Sequence, residues 1–392
     1  MAVLFLIVFV DLVGFGLLIP LLPFYVQRVG AGPELITNVL GLYSLAQFLA
    51  GPLWGRLSDR YGRKPILVIT SVGLAVSYVM LAYADGLPLL ILSRAFGGIM
   101  GANIGAAQAY ISDITTPETR AKGMGMMGAA FGLGFIFGPA IGGVLGGSDV
   151  ATANFFLPAM AAAAVTTVAA IGAVFFLKES LTPEMRAHAP RHAGAPLLAR
   201  LKTTLGRTSL LLLTVAGFLS VTAWAQFETV FSLWANALFN YGPQQIGFIL
   251  AFIGVVAVIV QGGAIGRLTR LFGERKLLIV SLVLLAIGYI VLSQANGLPQ
   301  IIAACTILSV GSGLFNPSIS SLVSKEAEPH ERGAVLGTYQ GATSLSRVVG
   351  PAFSGLVFAK LGTSAPFLVG VALVLPALAF MLALPRHHPK PA

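Results

Sequence analysis

The sequence predicts an all-α polytopic membrane protein, with twelve transmembrane helices in two pseudo-symmetric six-helix bundles. Three observations predict it. Hydrophobic residues make up 56% of the 392 and charged residues only 10%, too little polar surface to cover a soluble fold. Apolar stretches of about 20 residues, the length that crosses a bilayer, recur along the whole chain. A basic block of ten residues occurs twice, 211 positions apart: Gly55-Arg56-Leu57-Ser58-Asp59-Arg60-Tyr61-Gly62-Arg63-Lys64 returns as Gly266-Arg267-Leu268-Thr269-Arg270-Leu271-Phe272-Gly273-Glu274-Arg275. Each copy reads as a glycine-bounded turn between two apolar stretches, so the chain is two related halves.

Taken in order, the spans are read at residues 2–26, 35–54, 66–84, 88–111, 121–146 and 152–177, then 209–236, 244–265, 277–295, 298–323, 333–358 and 363–384. Residues 1–177 form the first bundle and 209–392 the second, with a short tail. Between them, 178–208 carries Pro183, Pro190 and Pro196 among charged residues and reads as a linker. His188 and His192 stand at helical spacing there, but no carboxylate or cysteine accompanies them, so a solvated linker is expected rather than a metal pair. His387 and His388 in the tail read the same way, and His330 falls in a loop. Cys305, the single cysteine, lies in a span, which leaves no disulfide framework and no cysteine metal site. No cofactor is expected. The first span starts at Met1 without a basic leader and carries Asp11 inside it, which argues against a cleaved signal peptide.

A formal charge of +10 would suggest a nucleic-acid partner in a soluble protein, so the placement of the bases decides their meaning. With the N-terminus inside, 20 of the 24 lysines and arginines fall in inner segments and only Arg28 and Lys360 in outer loops. That asymmetry is the positive-inside pattern. It predicts two cytoplasmic termini in a cell membrane, with no nucleic acid as partner. A monomer in the lipid bilayer, a bacterial inner membrane, is the expected setting.

Five motifs carry a resemblance. The Gly55 to Lys64 block follows span two. Gly134, Gly138-Pro139 and Gly142-Gly143 in span five fit G-x-x-x-G-P-x-x-G-G. Val10-Asp11-Leu12-Val13-Gly14-Phe15-Gly16 precedes Pro20 and Pro23. Arg94-Ala95-Phe96-Gly97-Gly98 lies in span four, and Asp113, Pro117 and Arg120 mark its end and the loop after it. In this order they resemble the major facilitator superfamily, and within it the twelve-helix drug/proton antiporters that include tetracycline efflux proteins. The resemblance implies a major facilitator fold, a small-molecule substrate, protons as coupling ion and spans one, four, seven and ten around a central cavity.

Each motif has a physical reading beside the resemblance. Gly55 and Gly62 permit a reversal, Asp59 can face a helix N-terminus of the opposite half, and Arg60, Arg63 and Lys64 anchor at the inner surface. Such a contact would latch one conformation, Asp113 and Arg120 belonging to the same gate; the alternative is charges that serve only topology. In the second copy Arg270 stands in the place of Asp59 and Lys325 opposite Asp113. The acidic members survive only in the first half, so an asymmetric gate is expected. In span five, glycines 134, 138, 142 and 143 with Pro139 suit a hinge near the interface of the halves, or generic close packing. Gly350-Pro351 and Gly355 echo them, with Ser354 where Gly142 stands.

Charges inside spans are costly and mark functional candidates. Asp11, Arg94, Glu228 and Arg347 are the clear ones. Asp11 suits a proton carrier, because a carboxyl in a cavity that alternates can be loaded and unloaded; the alternative is a structural ion pair with Arg94. Trp224, Glu228 and Phe231 fall at i, i+4 and i+7 with Phe227 adjacent, so one face of span seven sets a carboxylate among rings. That face suits a lipophilic cation, or else the rings meet lipid and Glu228 pairs with a polar neighbour. Asn103, Gln108, Asn316 and Gln340 are further polar groups in spans, beside Gln47, Gln226 and Gln261, and fit either a substrate site or helix-to-helix hydrogen bonds. Arg347 fits the binding site or the gate.

The reading with most support is a proton-coupled exporter of hydrophobic or cationic drug-like molecules, working by alternating access. A sugar, amino-acid or metabolite carrier would need a denser polar lining. A sensor that keeps the fold without transport would have no use for buried Asp11 and Glu228. No nucleotide loop, H-E-x-x-H or G-x-S-x-G is present, which speaks against an enzyme or an ATP-driven pump.

Overall fold

The computed structural model describes residues 2–28, 30–181, 206–328 and 331–384. Most of the linker, with His188 and His192, lies outside them, as do His330, His387 and His388. Among the described residues there are helices and turns and no strand. In chain order the helices are α1 Ala2–Leu18, α2 Leu22–Arg28, α3 Pro33–Tyr61, α4 Arg63–Ala82, α5 Leu87–Met100, α6 Ile104–Ile114, α7 Pro117–Gly146 and α8 Phe156–Phe176. The second half follows with α9 Thr208–Phe239, α10 Pro243–Ile259, α11 Ile265–Phe272, α12 Glu274–Ser293, α13 Leu298–Glu326, α14 Arg332–Leu361 and α15 Ala365–Ala383.

These helices are the spans the hydropathy marks out. Among the described residues ten are long and apolar enough to cross a membrane, counting α5 with α6 and α10 with α11, and α1 with α2, bent by 43°, make an eleventh if the pair is one span. α14, 30 residues and about 45 Å long at 1.5 Å per residue, covers the span read at 333–358, but glycine, serine, threonine and Arg347 dilute its apolarity. The chain is a multi-pass membrane protein.

Three spans read as continuous are interrupted. The first breaks at residues 19–21, where Pro20 removes a donor from the helix ladder. The fourth breaks at residues 101–103, between α5 and α6. The eighth passes through a π turn, Val260–Ala264, that joins α10 to α11. Average hydropathy registers none of these, because a broken span stays apolar.

The turn expected of the basic block is also narrower than its sequence suggests. α3 runs on to Tyr61, so Gly55 and Asp59 are helical and the chain reverses at Gly62 alone, at φ 112°. In the second copy the reversal falls on Gly273, at φ 76°. Within the two blocks only these positions take the positive φ that glycine tolerates; a side chain on Gly55 would meet open space.

Two compact units make up the chain. The first gathers Met1–Arg191, Glu228–Val258 and Pro351–Thr363, and the second His192–Phe227, Ile259–Gly350 and Ser364–Ala392. In the first, α1 lies against α7 and α8, and α4 against α5 and α8. One apolar cluster joins Leu4, Ile7, Trp54, Ile66, Tyr110 and Ala173, and another joins Leu17, Tyr25, Ile36, Tyr78, Leu90 and Ala159. In the second unit α12 packs on α13 and α15, with Gly288 against Leu308 and Gly370 against Tyr289.

Candidate functional site

The polar centre of the first unit is built on one face of α1. Asp11, Gly14 and Phe15 stand at i, i+3 and i+4, so they share a side. Asn103 Nδ2 donates to Asp11 Oδ2 at 3.1 Å, while Asp11 Oδ1 is buried without a hydrogen-bond partner. Gly14 is bare enough for Thr166 Oγ1 and Tyr78 Oη to come within 3.1 and 3.4 Å of where its Cβ would stand. Phe15 leans on Tyr43, ring centroids 5.4 Å apart. Arg94 completes the cluster: it is 3% exposed, its guanidinium lies 5.9 Å from the Tyr43 ring centre, and its Nε and Nη2 have no hydrogen-bond partner.

Asp11 therefore takes Asn103 as its partner. Among the described residues no ion pair joins it to Arg94. A buried carboxylate with one oxygen unsatisfied and a buried guanidinium with two idle donors are each costly. Such groups sit where charge is to be exchanged or a ligand taken up.

The break in span four is what delivers Asn103 to Asp11. Opening the helix at residues 101–103 frees backbone carbonyls, and side chains of α3 satisfy two nearby ones. Gln47 Nε2 donates to the Gly101 carbonyl at 2.8 Å and Trp54 Nε1 to the Ile99 carbonyl at 2.7 Å. Irregular backbone at membrane depth is tolerated only when held in this way. Gln47, read as one amide among many, is thus a structural member of the site.

α7 presents glycine on two sides. Gly134, Gly138 and Gly142, four apart, face α1: a Cβ on each would collide with Leu12, Gly16 and the Leu17 carbonyl respectively. Gly143, with the backbone at Pro139 and Phe135, faces α10, where Gly247 and Gly254 return the close approach, and Gln244 N donates to the Gly147 carbonyl at 3.0 Å. The helix continues through Pro139 as one element of 30 residues. Gly350 of α14 meets Thr222, Ala225 and Gln226 of α9, Gly355 meets Pro33 and Thr37 of α3, and Ser354 turns its hydroxyl back on the Pro351 carbonyl.

The basic block forms a charge cluster at the end of α3. Arg63 pairs with Asp59 at 2.5 Å and with Asp113 at 3.0 Å, and also donates to Ser58 Oγ. Ser180 Oγ donates to Asp113 at 3.0 Å. Glu179 accepts from the backbone N–H groups of Arg63 and Lys64 at 2.8 and 3.2 Å, capping α4, and its carboxylate fills the space beside Gly62. Sequence reading missed Glu179, since an acid at the end of a span looks like any interfacial charge. Asp59 itself is exposed, and Arg60 lies over Tyr61. The side chain of Arg120 is outside the described residues.

The second unit holds a counterpart that sequence reading passed over. Glu274, at the position of Arg63, pairs with Lys325, at the position of Asp113, and accepts from Ser321 Oγ at 3.1 Å. The signal was there: the repeat alignment puts Glu274 at the place of Arg63. Arg207 pairs with Glu328 and Glu331.

The remaining candidates are more scattered. On α9, Phe227 is buried against Tyr289 and Phe367, Phe231 is buried beside Trp234, and Trp224 tilts onto Phe227. Glu228 is half-buried between them in sequence. Gln226 donates to the Pro366 carbonyl. Gln108, Asn316, Gln340 and Arg347 expose their side chains, each in the body of a helix otherwise apolar or packed.

Comparison with known proteins places this architecture. The sequence profile of the Major Facilitator Superfamily matches residues 4–270 and 239–392. Multidrug resistance protein 2 of Bacillus subtilis is 29% identical over 92% of this chain and 89% of its own length, and the class C tetracycline resistance protein of Escherichia coli 29% identical over 96% and 93%. Multidrug resistance protein 1 of Bacillus subtilis is 30% identical over 89% of the chain and 87% of its own. Among solved structures, the human organic anion transporter MFSD10 (TETRAN) superposes with a TM-score of 0.74 at 25% identity, covering 97% of this chain and 98% of that one. Fold and sequence together define a membrane transport protein rather than an enzyme. The chain belongs to the Major Facilitator Superfamily.

Proposed function

We propose that the protein is a secondary active transporter that exports hydrophobic or cationic drug-like small molecules in exchange for protons. The observation that carries the reading is the half-satisfied Asp11 carboxylate, buried in α1 and steadied by Asn103 at the break of span four. Relatives named for multidrug and tetracycline resistance support the substrate class.

In this scheme Asp11 loads and unloads the proton, and Arg94, stacked over the Tyr43 ring in the same polar centre, belongs to the coupling machinery. Glu228 is the second acid and the attractor for a cation. Trp224 is assigned to the substrate site with it, Phe227 and Phe231 support that stretch of α9 from their buried packing, and Asn103, Gln108, Asn316 and Gln340 are assigned hydrogen bonds to the substrate. Two bundles, 1–177 and 209–392 joined by 178–208, exchange their openings. The gate is the charge cluster of Asp59, Arg63 and Asp113 beside the turn at Gly62, with Arg60, Arg120 and Arg347 assigned to it, and α7 is the hinge through Gly134, Gly138, Pro139, Gly142 and Gly143. Both termini are cytoplasmic and the working unit is a monomer.

Uptake of a fluorescent lipophilic cation into inside-out vesicles energised by a proton gradient tests the substrate class. Expected is uptake by the wild type, abolished in Asp11→Asn and reduced at least about tenfold in Glu228→Gln, the loss typical of a group that binds only when charged. A second reading, export of an organic anion, is favoured by the idle donors of buried Arg94. Accumulation of a fluorescent organic anion but no cation would select it.

A further inference from the structure

The two halves carry the same ion pair with its charges exchanged. In the first half Arg63 opens α4 and Asp113 lies in the last turn of α6; in the second, Glu274 opens α12 and Lys325 lies in the last turn of α13. Each acid also takes a serine hydroxyl, Ser180 on Asp113 and Ser321 on Glu274, both near 3 Å. A further tether repeats with its sign unchanged. Lys64 Nζ donates to the Val174 carbonyl near the end of α8, and Arg275 Nη2 to the Met381 and Leu382 carbonyls at the end of α15. Each half therefore ties its third, fourth and sixth spans together at the end that bears the basic block.

Helix dipoles explain why the inverted polarity is workable. A helix N-terminus favours an acid and a C-terminus a base. Glu274 and Lys325 both sit at their favourable ends. Arg63 and Asp113 both sit at unfavourable ones, and the first half makes this good with Glu179, whose carboxylate holds the N-terminus of α4 from the end of the sixth span. The start of the third span thus meets a carboxylate in both halves, supplied from elsewhere in one and built in place in the other.

We infer that Glu274 and Lys325 are a second gating pair, the counterpart of Arg63 and Asp113, so that the gate has a working clamp in each half. This inference rests on the alternating-access reading. It also replaces the expectation that only the first half keeps the latch.

The test is substrate flux in proteoliposomes for Glu274→Gln, Lys325→Gln and the exchange Glu274→Lys with Lys325→Glu, beside Arg63→Gln and Asp113→Asn. Positioning residues of a gate should lower turnover and leave KM almost unchanged. Expected are turnovers down about tenfold in every single variant, KM within about twofold, and the exchange variant back to within about threefold of wild type. The remaining deficit in the exchange variant comes from two charges moved to unfavourable helix ends. Wild-type turnover in Glu274→Gln and Lys325→Gln, or an exchange variant no better than either single one, overturns the inference. If the wild type moves no compound, the transport reading fails by itself and the clamp is read by hydrogen exchange over residues 266–275. Protection lost in the single variants and regained on exchange supports the pair; protection unchanged in the single variants removes it.

Discussion

Asp11 and its partner Asn103 lie 92 positions apart in the chain, and they show what single residues can disclose. Asp11 was legible because any carboxylate within an apolar span stands out. Asn103 was one amide among several, since nothing local marks a contact across that distance. Replacing Asn103 by Ala strips the carboxylate of its one side-chain donor and should cost about 1–3 kcal/mol, read as a lowered thermal midpoint in detergent. The glycines of α7 were legible as a spacing, but which side each faced was not. Gly142→Ala drives a methyl into the Leu17 carbonyl and should destabilise by about 1–3 kcal/mol. Gly55→Ala, inside α3 with open space around it, should instead be neutral or stabilise by up to about 1 kcal/mol. Equal thermal midpoints for the two variants would contradict this division of the glycines.

At the scale of the element, spans were readable because hydropathy over about 20 residues reports burial in lipid directly. Their interruptions were not, because a break changes hydrogen bonding without changing apolarity. The break of span four is held by Gln47 and Trp54, so Gln47→Leu leaves the Gly101 carbonyl unmatched. That variant should lose about 1–3 kcal/mol and show faster amide exchange around residues 99–104 than the wild type. Unchanged exchange there would mean that the break is held by other means. The start of α4 teaches the same lesson in electrostatics. Its basic sequence suggested an anchor at the membrane surface, yet Glu179 caps its N-terminus and Gly62 makes the turn at φ 112°. Gly62→Ala would meet both the positive φ and the carboxylate, and its midpoint should fall further than that of Gly142→Ala.

For the whole molecule, a duplicated half is the most legible property, since the basic block and the glycine-proline motif repeat at nearly constant offset. What repetition did not disclose is that the copies have diverged in sign while keeping a contact, because a comparison residue by residue scores Glu274 against Arg63 as a loss. The structure restores it as a pair with Lys325. Membership of the Major Facilitator Superfamily follows from the whole length of the chain, whereas the proposed proton coupling rests on Asp11. The measurement that tests it most directly follows lumenal pH in proteoliposomes under an imposed pH gradient while lipophilic cations and tetracycline-like compounds are added, wild type beside Asp11→Asn. Proton movement evoked by substrate is expected in the wild type and none in the variant. Substrate flux that moves no protons, or proton movement that survives in Asp11→Asn, would contradict it.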